Sequence, residues 1–150
     1  MGRLAFDYLS LAGHTEPQKK LKMKSEKLNN TDEDEEPDIR LRTFEFSVKV
    51  VELYKFLQYE KKEYVLGKQL LRSGTSIGAN VEEATAAQSK KDFISKMSIA
   101  LKEARETNYW LRLLKRTGFI KKDNLINESS EIMNILGAII RTSRKNLKSE

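Results

Sequence analysis

From residue 44 onward, apolar positions recur at steps of three and four, the period of one helix face. In the first such stretch, about Thr43 to Gln58, two stripes run side by side: Phe44, Val48 and Val51, and Phe46, Val50, Leu53 and Leu57. Two stripes predict a wide buried arc on a helix packed against several neighbours. The second predicted helix spans about Glu63 to Gln88, with Leu66, Leu70, Ile77, Val81 and Ala84 on its inner face. Its middle reads Ser73-Gly74-Thr75-Ser76-Ile77-Gly78-Ala79. A glycine inside a helix costs about 1 kcal/mol relative to alanine. Two of them four residues apart also clear one face for the close approach of another backbone. A break or kink at Gly74 is the competing reading.

The third helix has a marked start, with Ser89 as N-cap and Asp92 three residues later as in a capping box. Phe93, Met97, Ala100, Ala104, Thr107, Leu111 and Leu114 then alternate steps of four and three, the 3.5-residue period of coiled-coil-like packing. Gly118 is placed to end this helix, after Lys115 and Arg116 in a last turn where cations complement the helix dipole. The fourth helix runs from about Asp123 to Leu147, its stripe of Leu125, Ile132, Leu136, Ile139 and Ser143 widened by Ile135 and Ile140. Four amphipathic helices with short connections predict an all-α fold, an antiparallel up-down four-helix bundle over residues 41–148.

Residues 1–40 break this pattern. They hold both prolines, the single histidine (His14), a lysine run from Lys19 to Lys27 and the acidic run Asp32-Glu33-Asp34-Glu35-Glu36. The segment reads as a flexible charged N-terminal extension. It carries seven Lys/Arg against nine Asp/Glu, whereas residues 41–150 carry 21 against 13. The bundle region is therefore basic, and a basic domain attracts polyanions through forces that salt screens. Cysteine is absent, which removes disulfides, thiol nucleophiles and zinc–thiolate sites and is compatible with a reducing cytoplasm. No apolar run reaches the roughly 18–20 residues that span a bilayer. The N-terminus lacks the apolar stretch of a signal peptide. A cytoplasmic protein with no membrane partner is the expectation.

The residues argue against an enzyme. A Ser-His-Asp triad has no histidine in the bundle, and no Glu-x-x-His pair offers a di-iron site. The Ser73–Gly78 stretch lacks the lysine of a phosphate loop and follows a helical pattern. Glu82, Glu83, Glu103 and Glu106 leave one remote alternative, a carboxylate pair such as Glu83 and Glu103 working as acid and base or holding Mg²⁺. No cofactor or metal is expected. Binding chemistry is better represented. Lys102, Arg105, Arg112 and Arg116 are spaced 3, 7 and 4 apart and share one helix face, a layout suited to phosphates or to plain solvation. Arg72 and Lys115 extend that set, and Arg141, Arg144 and Lys145 make a second basic patch. Tyr109 and Trp110 are either stacking platforms for bases or core and interface residues.

Two blocks carry a family resemblance. One is Gln69-Leu70-Leu71-Arg72-Ser73-Gly74-Thr75-Ser76-Ile77-Gly78-Ala79-Asn80-Val81-Glu82-Glu83-Ala84. The other is Asp92-Phe93-Ile94 followed by Ser98-Ile99-Ala100-Leu101-Lys102-Glu103-Ala104-Arg105-Glu106-Thr107-Asn108-Tyr109-Trp110-Leu111. From Phe44 to about Lys145 the chain resembles the bacterial four-helix-bundle family of rRNA intervening-sequence proteins and of the accessory variability determinants of diversity-generating retroelements. The resemblance implies an antiparallel bundle assembling as a ring-like homopentamer, which fits the small-residue block around Gly74 and Gly78 and the extra apolar stripe on the first helix. Some members are encoded within large-subunit rRNA genes, and others bind a reverse transcriptase and its template RNA through basic surfaces. The expected function is a non-enzymatic homo-oligomeric scaffold that binds structured RNA. The alternative is a protein adaptor, for example for a reverse transcriptase, without direct contact to nucleic acid.

Overall fold

The computed structural model describes residues 38–148. They form four helices: α1 (Ile39–Tyr59), α2 (Leu66–Thr85), α3 (Lys90–Arg116) and α4 (Asn124–Lys148). No strand occurs among the described residues. The expected charged extension lies outside them except at its end, where α1 begins earlier than the apolar stripes implied. The Asp38 carboxylate accepts the Arg40 amide at 3.1 Å and caps the new start, and Ile39 packs on the core. α2 is shorter at both ends than its periodicity suggested. Glu63 is not helical. Its carboxylate instead accepts the amides of Val65, Leu66 and Gly67 at 3.1, 2.9 and 2.7 Å, satisfying the first orphan donors of the helix.

Cross-helix contacts fix the topology. On the α1–α2 seam Arg40 pairs with Glu82 while Val50 faces Gly74. On α2–α3, Lys96 pairs with Glu83 and Thr107 donates to Ser73 Oγ at 3.0 Å. On α3–α4, Asn108 Nδ2 donates to Ser129 Oγ at 2.9 Å and Lys115 pairs with Asp123. In each case rising numbers on one helix meet falling numbers on the next, so neighbours are antiparallel. The core between them is a column of fully buried side chains that includes Phe46, Leu70, Ile77, Leu111, Leu114, Ile132 and Leu136.

The four seams are unequal. α2 packs heavily on α3, α3 on α4 and α1 on α2, while α1 only brushes α4. This divides the two stripes expected to be buried on α1. Phe46, Val50 and Leu57 are buried, whereas Phe44 is 63% exposed and Val48 is also open. The wide arc is therefore apolar without being covered by this chain, because α1 has one close neighbour rather than several. α2 passes through Gly74 and Gly78 as a continuous helix, without the break considered above. A methyl group at Gly74 would sit 2.7 Å from Val50 Cγ1, and one at Gly78 would sit 3.2 Å from the Thr43 carbonyl oxygen. These glycines let α1 approach α2. Among the described residues no helix is long and apolar enough to cross a membrane.

α3 starts and stops as its sequence indicated. Ser89 Oγ accepts the Asp92 amide at 3.1 Å. At the other end Gly118 has φ +83°, the Gly118 amide donates to Lys115 O and the Phe119 amide to Leu114 O at 2.9 Å. This is the Schellman pattern, which reverses the chain and turns Phe119 back onto the bundle.

Gly74→Ala is expected to lower stability despite the better helix propensity of alanine, because overpacking a tight contact costs about 1–3 kcal/mol and the propensity gain is about 1 kcal/mol. Urea unfolding measures the loss, and adding Val50→Ala should recover part of what Gly74→Ala costs. Burial opposes ionisation of Glu63, but its three amide donors outweigh this and hold the carboxyl below its ordinary value. Its folded pKa is depressed, so the associated stability is present above the unfolded value and disappears as pH falls through the folded one. Glu63→Gln should therefore destabilise at neutral pH, by about 1 kcal/mol as for a lost cap, and the gap from wild type should close in acid. Thermal melts across that pH range check it.

Candidate functional site

The basic residues singled out from the sequence fall into three settings. Lys102, Arg105, Arg112 and Arg116 lie exposed along α3. Arg105 and Arg116 make no ion pair among the described residues. Arg112 is held in place, its Nε donating to Asn108 Oδ1 at 3.0 Å. Asn108 is in turn buried and fixed by Ile126 O, Ser129 Oγ and Ser130 Oγ of α4. A polar knot between two helices thus orients one arginine of the row.

Arg72 and Lys115 are engaged. Arg72, on α2, pairs with Glu106 and lies 3.9 Å from a Glu103 carboxylate oxygen. Lys115 pairs with Asp123. The Lys115–Asp123 pair is exposed and contributes little stability, whereas the acceptors of Arg72 are more covered, Glu103 being 15% exposed. The Glu106 carboxyl is held below its ordinary value, first by the Trp110 indole N–H at 3.2 Å and then, against burial, by Arg72. Trp110 is half-buried against the core and meets the exposed Tyr109 edge-on at 4.9 Å. Of the aromatic pair Tyr109 is the more open ring, at 50% exposure.

Arg141, Arg144 and Lys145 are exposed at the C-terminal end of α4. Antiparallel packing puts that end beside the start of α3, at the opposite pole from Lys115 and Arg116. The structure thus separates the two basic sets. It also assembles a third, which no helical repeat contains. The α1–α2 turn carries Lys61 and Lys62, and the α3–α4 loop carries Lys121 and Lys122. Both connections lie at the pole of Lys115 and Arg116. None of these lysines sits on a helical repeat, so periodicity had no means of finding them.

The carboxylates considered as a catalytic pair do not face one another as a free couple. Glu82 pairs with Arg40, Glu83 with Lys96, and both Glu103 and Glu106 with Arg72. Among the described residues no group of three or more His, Cys, Asp or Glu is gathered as a ligand set.

Residues 35–140 match the family model described as 23S rRNA-intervening sequence protein. A crystal structure from Bacteroides thetaiotaomicron, described as a protein of unknown function from the S23 ribosomal protein family, is 54% identical. The match covers 69% of this chain and 98% of that one, with a TM-score of 0.68. A comparison with curated proteins returns no match. The matched span holds α1 to α3, both sequence blocks and α4 as far as residue 140, and the chain belongs to the 23S rRNA-intervening sequence protein family.

Proposed function

We propose that the protein is a non-enzymatic homo-oligomeric scaffold that binds structured RNA through the phosphates along its basic helix faces. The observation that carries this is the row on α3: Lys102, Arg105, Arg112 and Arg116 project from one rigid element, and Arg105 and Arg116 have no carboxylate partner among the described residues. Side chains on a helix hold their spacing, so they can meet successive phosphates at small entropic cost. The paired Arg72 and Lys115 border this row. The family description names an rRNA intervening sequence, which agrees with an RNA partner. Pairing of each candidate catalytic carboxylate with a cation supports a binding role over an enzymatic one.

The oligomeric part of the reading rests on α1. Leu41 and Phe44 are 56% and 63% exposed, and Val48 and Tyr59 are open on the same helix. Contiguous apolar surface of this kind marks a contact site. A ring, the pentamer implied by the family resemblance, would bury the stripe against a different surface of the next copy. The same stripe supports the second reading, an adaptor for a protein such as a reverse transcriptase.

Binding should be strongest at low salt and fall linearly in log–log form as salt rises, because each phosphate contact releases counterions. Arg105→Glu with Arg116→Glu should weaken binding of a structured RNA in filter-binding or fluorescence titration and flatten the salt slope by about one for each lost contact. Unchanged affinity at low salt would sink the RNA reading. Light scattering after size exclusion tests the assembly: Phe44→Glu with Val48→Glu should convert an oligomer into monomer while the helical content stays.

A further inference from the structure

We propose that the loop pole of the bundle holds a binding site for a small amphipathic carboxylate, a free acid with an apolar tail. The site is a cavity of about 400 Å³ between the C-terminal half of α1, the α3–α4 loop and the start of α4. Its walls are Leu53, Phe56, Phe119, Ile120 and Leu125. All five are only partly covered; Phe56 is 41% exposed.

The shape follows from the α3 terminus. The positive φ of Gly118 reverses the chain, and Leu114 O accepts the amides of Phe119 and Ile120 at 2.9 and 3.4 Å. This swings two apolar side chains over the end of the core. α1 packs less closely on α4 than the other neighbours pack on each other, and the space between Leu53 and Phe56 of α1 and the start of α4 stays open. The cavity is thus the residue of an unclosed seam, capped by a hydrogen-bonded turn.

Its rim is cationic. Lys61, Lys121 and Lys122 all line it, and the Lys61 ammonium stands 5.5 Å from the centre of the Phe56 ring. Lys121 and Lys122 have no carboxylate partner among the described residues, and the neighbouring Asp123 is engaged by Lys115. α4 opens here with Asn124, another lining residue, and carries no acidic side chain in its first turn, so its dipole adds to the positive field. An apolar floor takes a hydrocarbon tail, and a lysine rim takes one negative head. A neutral apolar molecule would leave the rim unused, and a bare anion would leave the floor exposed. A second cavity on the same seam is more acidic. Its lining includes Glu45, Glu128 and Glu131 beside Leu41 and Arg42, with Glu128 paired to Lys49 and Glu131 to Arg42.

The inference does not rest on RNA binding, and its test contains no RNA. Full-length protein is titrated calorimetrically with octanoate, octan-1-ol, acetate and inorganic phosphate. Octanoate is expected to bind at one site per chain, at least tenfold more tightly than any of the other three. Charge reversal at the rim (Lys61→Glu, Lys121→Glu, Lys122→Glu) should weaken octanoate at least tenfold and leave octanol within twofold. Phe56→Gln, an exposed position whose loss leaves the core intact, should weaken octanoate and octanol together. Circular dichroism confirms that both variants stay helical. Octanol binding as well as octanoate would overturn the proposal, as would acetate or phosphate doing so. Octanoate binding that ignores both variants, or no octanoate binding at all, would also overturn it.

Discussion

The approach of α1 to α2 governs much of what this protein presents to solvent. Val50 lies where a methyl on Gly74 would stand, and the Thr43 carbonyl comes close beside Gly78. Side chains at those two positions would push α1 outward, and the second attachment of α1 is a slighter seam with α4 that includes the Arg42–Glu131 and Lys49–Glu128 pairs. Two glycines in the interior of α2 cost helix propensity. That cost is offset by the burial of Phe46, Val50 and Leu57, each worth about 1.5–3 kcal/mol when taken fully out of water.

Anchoring α1 mainly on one side has two consequences. Its outer stripe, with Leu41, Phe44 and Val48, stays apolar and open, which is the surface a further chain would cover. Its inner edge near Leu53 and Phe56 leaves a gap against α4 that the α3–α4 loop roofs without filling. The open apolar stripe and the cavity thus share one cause, the shortage of neighbours around a helix with two apolar faces.

Charge is distributed by a different logic. Several carboxylates are matched across seams, as in Arg40–Glu82, Lys49–Glu128 and Lys96–Glu83. These exposed pairs contribute little stability one by one. Their larger effect is to leave the excess cations where no seam partner exists, along α3 and in the two loops at one pole. The buried Asn108 node works in the same direction. It joins α3 to α4 through Ser129 and Ser130 while its remaining oxygen holds Arg112 outward.

The sequence by itself determined the helices and their order. Heptad spacing from Phe93 to Leu114, the Ser89 cap and Gly118 as terminator are local features, written in residues within a turn of one another, and they reappear in α3. The α3 cationic row was equally legible, because spacings of 3, 7 and 4 specify a face without reference to any other element. Ion pairing of Arg72 and Lys115, the openness of Phe44 and Val48, and the gathering of Lys61 and Lys62 with Lys121 and Lys122 were decided only in three dimensions. Each depends on which helices lie side by side and how closely. Periodicity shows that a face is apolar, but the number of neighbours that cover it is set by packing. Likewise two loops sixty residues apart become one cationic pole only because antiparallel helices return the chain to the same end.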